Sequence, residues 1–222
     1  MGSAMTASEP RELVARAQAV VLDFDGTLVD SNPIKFRAFE RCFADLAERR
    51  DEVLAYCVSH HHVPREEKFR HIYERLLGRP YTLDEAARLH ALFDAATTQA
   101  IIRAPAIAGA EAFLDRVSRT RVTALLSSTP HPVLLRILEG RAWRQRFDLV
   151  QGAPVEKAAW LQAFRAQRRL AGNDVVVFGD TAEDAAAAAA AGCGFVGVGP
   201  APQTADSAWI ADFLMLGPEG CS

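Results

Sequence analysis

Two short runs limit what this chain can fold into. Val20-Val21-Leu22-Asp23-Phe24 ends at Gly26, and Val175-Val176-Val177-Phe178 ends at Gly179. Neither alternates apolar with polar residues over its length, as a strand with one wet face would. Both suit strands buried on two faces, which is how parallel sheets are built. Around them, segments of helical and strand character alternate. Helices are expected over 109–119, 131–139, 155–169 and 181–191, and further strands over Val122–Leu126 and Phe195–Val198. Gly192 stands where a helix takes a left-handed residue at its end. The order predicts an α/β fold: a Rossmann-like parallel sheet covered by helices on both faces.

The stretch between the first strand and about residue 103 contains no convincing strand. Asn32 is a good N-cap, Pro33 fits a first helical position, and Phe36, Phe39, Phe43 and Leu46 form one apolar stripe. Thr82-Leu83-Asp84-Glu85 has the form of a capping box that opens another helix. Residues 34–103 are therefore expected to form one all-helical insertion, and 1–33 with 104–222 the sheet-bearing core.

Open α/β sheets bind ligands at the carboxyl ends of their strands, and the polar residues of this chain gather at those ends. Asp23-Phe24-Asp25-Gly26-Thr27 follows the first strand, Ser127-Ser128-Thr129 the second, and Gly179-Asp180-Thr181-Ala182-Glu183-Asp184 the most apolar one. Lys157 opens the helix before that strand. Side chains two apart on a strand end point the same way, so Asp23 and Asp25 make a pair. Asp180 and Asp184 add two more carboxylates. So much negative charge needs neutralising, and an all-oxygen set suits magnesium. Lys157 supplies a second positive charge. Ser127 and the backbone N–H groups after it, at a helix N-terminus, suit phosphate oxygens. The composite reads as phosphoryl transfer through an aspartyl phosphate.

Asp23-Phe24-Asp25-Gly26-Thr27-Leu28-Val29-Asp30-Ser31 resembles motif I of the haloacid dehalogenase-like superfamily, in its phosphoglycolate phosphatase-like branch. Ser127 resembles motif II, Lys157 motif III, and Gly179-Asp180 through Asp184 motif IV, in that order within residues 18–200. The resemblance implies that Asp23 is the nucleophile and Asp25 the general acid and base. It implies magnesium held by the Asp23 and Asp180 carboxylates and the Asp25 backbone carbonyl, with Asp184 as orienter or water-mediated ligand. The second reading of Asp184, as a cap on the alanine helix, carries less weight than the metal-site one. Lys157 would bridge the nucleophile and the transferred group, and Ser127, rather than the neighbouring Ser128, would bond a phosphate oxygen. Gly26 would let the backbone approach, and Thr27 would fix the loop. Dehalogenases of the superfamily lack the second Asp of motif I, so Asp25 argues against carbon–halogen cleavage.

The insertion occupies the place of the superfamily's helical C1-type cap. Within it, Val63-Pro64-Arg65-Glu66-Glu67-Lys68-Phe69 resembles the specificity loop of β-phosphoglucomutase relatives, which makes Arg65 and Lys68 candidates for leaving-group contacts. A phosphomutase is thus an alternative to a phosphatase acting on a sugar phosphate or phosphoglycolate-like ester. Lys35 stands where those mutases carry a histidine. A non-catalytic ligand-binding module is a further alternative, opposed by the complete set of charged residues.

Composition narrows the remaining classes. The formal charge is −3, so no basic field suggests nucleic-acid binding. No apolar run approaches the roughly 18 residues needed to span a bilayer. Ser8, Glu9, Pro10, Arg11 and Glu12 interrupt any secretory h-region. Cys42, Cys57, Cys193 and Cys221 are scattered without a C-x-x-C pair, which suits a reducing cytoplasm. The expected partner is a small phosphorylated metabolite, and the expected assembly a monomer or homodimer. Of 25 basic residues only three are lysines, at 35, 68 and 157.

Overall fold

The structure, a computed structural model, describes residues 10–45, 49–60, 63–200 and 208–217. The chain divides into two compact units, one comprising the residues up to Asp30 and from Pro105 onward, the other Ser31–Ala104.

The first unit is a six-stranded, wholly parallel sheet. Its strands are β1 (Ala19–Leu22), β2 (Val122–Pro130), β3 (Leu149–Ala153), β4 (Val175–Gly179), β5 (Gly194–Val198) and β6 (Ala208–Ile210). Their spatial order is β3-β2-β1-β4-β5-β6. The chain moves outward from central β1 to β2 and β3, then returns to the other side of β1 for β4. That reversal is the topological switch point where doubly wound sheets bind ligands. β1 and β4 are buried along their whole length, as their unbroken apolar runs require. Leu22 is level with Phe178 in the register, so the residues that follow β1 and β4 emerge side by side.

Among the described residues this unit has five α-helices, α1 (Pro10–Arg16) and, beyond the helical insertion, α6 (Ala110–Val117), α7 (His131–Gly140), α8 (Lys157–Arg168) and α9 (Ala182–Ala190), with short 3-10 turns at Arg144–Arg146, Gly172–Asp174 and Phe213–Leu216. On one face of the sheet, Val21, Val175 and Val177 pack with Leu161 and Phe164 of α8 and with Ala187 and Ala188 of α9. The small alanine side chains allow α9 close approach. Phe178 meets Phe113 of α6 edge-on at 5.1 Å between ring centroids, and packs against Phe213 at 5.5 Å with the rings tilted by 34°. These contacts cover apolar residues of α6, α8 and α9.

The second unit is helical: α2 (Asn32–Cys42), α3 (Arg50–Ser59), α4 (Arg65–His71) running into a π-turn at Ile72–Leu76, and α5 (Leu83–Arg103). Its described residues contain no strand. Phe39 packs edge-on against Phe69 and Phe93, at 5.6 and 4.8 Å, and Phe43 packs against Phe69 at 5.9 Å. Leu46 of the expected stripe lies outside the described residues. Ser31, not Asn32, occupies the N-cap of α2, which moves Pro33 into the second helical position; proline fits there because that N–H is also without an intrahelical partner. Thr82 does cap α5, accepting from Glu85 N at 3.3 Å. The reciprocal half of the capping box is missing, because Glu85 instead accepts from Tyr73 Oη at 2.7 Å and Arg88 Nε at 3.0 Å.

Three elements carried no clear sequence signal. β3 is short and contains Gln151 and Gly152; β6 has three residues; α1 has seven. β2 also runs past Leu126 to Pro130, because its polar end still pairs with β3 at Pro130↔Ala153.

Phe178→Ala should lower the unfolding free energy by about 3–5 kcal/mol, the usual cost of removing a large buried aromatic. Urea denaturation followed by near-ultraviolet circular dichroism measures it, and a change below about 1 kcal/mol would contradict this packing.

Candidate active site

The site begins with the chain leaving β1. Asp23 N still donates to Phe178 O of β4, at 2.9 Å, which fixes the first carboxylate beside the switch point. A tight loop follows. Leu28 N and Val29 N both donate to Phe24 O, and Gly26 N donates to Val29 O. Gly26 has φ 75°, a conformation that favours glycine. Thr27 is fully buried and its Oγ1 has no hydrogen-bond partner, so the main chain, not this hydroxyl, closes the loop.

Asp23, Asp25, Lys157 and Asp184 are all buried. Glu156 caps α8 by accepting from Ala158 N and Ala159 N, which places Lys157 in the first turn. Its Nζ lies 2.6 Å from Asp184 Oδ1 and 3.3 Å from Asp23 Oδ1. Asp184 is held from its other side: Oδ2 accepts from Thr181 Oγ1 at 2.5 Å and from Thr181 N at 3.3 Å, while Asp184 N donates back to Thr181 Oγ1. Asp184 thus caps α9 and pairs with Lys157 at once. A Cβ on Gly179 would sit 2.3 Å from Asp184 Cβ, so only glycine lets the end of β4 lie against the first turn of α9.

Burial pushes the Asp23 carboxyl well above its usual range; Lys157 opposes this, while Asp184, Asp180 and Asp25 add to it. Burial would lower the Lys157 ammonium, but Asp23 and Asp184 outweigh it and hold the group above its ordinary value. One ammonium therefore faces several carboxylates and stays charged. The surplus is negative. Carboxylate oxygens of Asp23, Asp180 and Asp184 lie within 4.8 Å of one another. That spread approaches the ~3–4 Å separations between oxygens around an octahedral magnesium, so the donor set fits a hard divalent cation.

Ser127 is buried and its Oγ accepts from Thr129 N at 3.1 Å, whereas Ser128 is exposed. Thr129 Oγ1 donates to Asp25 Oδ2 at 2.7 Å. Thr129 and Thr181 are the two polar partners that motif reading missed. The box-like Thr181…Asp184 spacing was a usable signal for one; nothing local marks the other.

Arg65 and Lys68 lie on α4 in the helical unit. Arg65 Nη1 pairs with Asp94 Oδ1 at 2.6 Å, and the guanidinium stacks 4.7 Å from the Phe93 ring centre. Lys68 is 4 % exposed, with Nζ 5.0 Å from the Phe39 ring centre. Burial pulls its ammonium down to about 8; the neighbouring Cys57 opposes this, and Lys35 adds a smaller downward pull. The sequence also has three consecutive histidines, His60-His61-His62, without the spacing of a metal site; His60 stacks on Tyr56, and the other two lie outside the described residues.

A profile of haloacid dehalogenase-like hydrolases matches residues 17–192. The chain belongs to this family. No curated protein sequence matches it. Among solved structures, a CbbY variant from Rhodobacter sphaeroides in complex with xylulose-1,5-bisphosphate is similar over 90 % of this chain and 96 % of its own, with TM-score 0.72 and 17 % identity. A predicted phosphoglycolate phosphatase from Haemophilus somnus is similar over 89 % and 95 %, with TM-score 0.68 and 17 % identity. The HAD hydrolase YfnB from Bacillus subtilis, bound to magnesium, is similar over 90 % and 99 %, with TM-score 0.68 and 14 % identity. These likenesses show the same fold, and in this chain the acidic residues Asp23, Asp180 and Asp184 cluster at one place. No helix of the described residues is long and apolar enough to cross a membrane.

Lys157→Met should cost about 3–5 kcal/mol of stability in chelator, because it strands buried carboxylates. Added magnesium should restore part of the loss in urea titrations; a stability unchanged from the parent protein contradicts the pairing. Lys68 gives a separate expectation. Its folded pKa lies below the unfolded value, so between about pH 8 and 10.5 the unfolded chain binds the extra proton and stability rises with pH. Lys68→Met should flatten that rise in denaturant titrations across the window.

Proposed function

We propose that this HAD-family hydrolase is a magnesium-dependent phosphatase that cleaves a small phosphomonoester, a sugar phosphate or phosphoglycolate-like ester, through an aspartyl phosphate on Asp23. The observation that carries the reading is Lys157, with its ammonium shared between buried Asp23 and Asp184 among an excess of carboxylates at the β1/β4 switch point.

Asp23 attacks phosphorus; the Asp23–phosphorus bond forms as the ester oxygen–phosphorus bond breaks. Asp25 gives its proton to the departing oxygen, then takes a proton from the water that attacks the phosphoenzyme. Phosphate leaves and Asp23 is regenerated. Lys157 supplies fixed positive charge beside the nucleophile, and Ser127 bonds a phosphoryl oxygen. Gly26 lets the loop backbone approach the same place. Asp23, Asp180 and the Asp25 backbone carbonyl would hold the cation, and Asp184, engaged by Lys157 and Thr181, would orient this set. Magnesium, when bound, offsets the charge of the phosphoryl oxygens against that of the attacking carboxylate.

The helical unit Ser31–Ala104 acts as the substrate-selecting cap, with Arg65 and Lys68 as its cationic candidates. The tie between Arg65 and Asp94 gives that guanidinium a fixed orientation.

Asp23→Asn should reduce phosphate release from a metabolite panel by at least about 10³-fold, and chelation should abolish it. Malachite green detection of phosphate and trapping of the phosphoenzyme check both. Retained turnover removes Asp23 from the nucleophile's role, and isomerised product without phosphate release would identify a mutase.

A further inference from the structure

Asp25 must carry a proton out and bring one back, so its carboxyl group needs a defined orientation in both protonation states. The neighbouring chain provides one. β2 and β3 run in register to Leu126↔Gln151 and resume at Pro130↔Ala153. Ser127, Ser128 and Thr129 therefore stand opposite Gly152 alone. Such irregularities re-aim side chains beside active sites. This one buries Ser127 and Thr129 and leaves Ser128 exposed. It depends on Gly152, where a Cβ would come within 2.6 Å of Thr129 O and of His131 Cα.

In this conformation Thr129 touches two site residues. Its N–H donates to Ser127 Oγ at 3.1 Å, and its hydroxyl donates to Asp25 Oδ2 at 2.7 Å. Both Thr129 and Asp25 are buried, so water competes weakly for this bond. An ionised carboxylate accepts on either oxygen, and a protonated one still accepts on the oxygen without hydrogen. The Thr129 hydroxyl can therefore keep donating to Oδ2 throughout the cycle, provided the transferable proton resides on Oδ1.

We infer that Thr129 is a positioning residue for Asp25: by donating to Oδ2 it fixes the plane of the carboxyl group and favours Oδ1 as the seat of the acid–base proton. The inference rests on the acid–base role of Asp25 proposed above. Its consequence is selective. Losing the hydroxyl should slow phosphoryl transfer most where the departing oxygen needs a proton, and little where it leaves readily as an anion.

The test uses the full chain with magnesium and two probes, phenyl phosphate and p-nitrophenyl phosphate, the second having the better leaving group. For Thr129→Val, kcat/KM should fall about 10–100-fold with phenyl phosphate and less than about 3-fold with p-nitrophenyl phosphate. Thr129→Ser should restore the phenyl phosphate value to within about 3-fold of the parent. In an Asp25→Asn background, Thr129→Val should cause no further loss. Circular dichroism verifies folding, and Thr129→Ala serves in the same way if the valine variant does not fold. Equal losses with both probes, or no loss with phenyl phosphate, overturn the inference and leave the phosphatase reading intact. A folded parent protein that hydrolyses neither probe nor any metabolite overturns the phosphatase reading itself.

Discussion

A single ammonium set among buried carboxylates is the constraint on which the site depends. Lys157 lies between Asp23, at the end of β1, and Asp184, in the first turn of α9. An unpaired buried charge is costly, so each of these groups needs the others in place. The pairing joins three elements far apart in sequence and level at one edge of the sheet. It also leaves the cluster with excess negative charge, a donor set that suits a hard divalent cation. Stability and chemistry thus draw on the same electrostatics, and the site favours the ligands that complete it.

Backbone geometry delivers those side chains. The matched register of β1 and β4 sets Asp23 beside the residues that follow Phe178. Gly179 lets α9 begin against the strand end, and Thr181 closes its first turn. Gly26 turns the loop that carries Asp25. On the other side, Gly152 admits the irregular end of β2, which brings Thr129 to Asp25. Three small residues therefore hold the charged groups at their distances, and the apolar faces of the sheet anchor the strands that bear them.

Where the chain's own pattern was strong, its reading matched the fold. The all-apolar β1 and β4 and the long helices required no context, because burial on two faces and a 3.6-residue period leave a direct mark on composition. β3 and β6 left no such mark. They are short, and β3 is interrupted by Gln151 and Gly152. The shift of the α2 N-cap to Ser31 and the diversion of Glu85 to Tyr73 and Arg88 have a common cause: local capping preferences yield to partners supplied by other parts of the chain.

The sequence by itself determined the parallel α/β class, the helical segment between the first two strands, and the acidic and basic groups that gather at strand ends. Spacing and side-chain type suffice for these, since they follow from periodicity and from the rule that parallel sheets bind at their carboxyl edge. Tertiary structure alone decided which groups meet. It gave Lys157 to both Asp23 and Asp184, engaged both oxygens of Asp184, tied Arg65 to Asp94, and set Thr129 against Asp25. The reason is physical. Hydrogen bonds and ion pairs depend on positions fixed to within about an ångström, and strand register and close glycine contacts, which local sequence specifies weakly, set those positions.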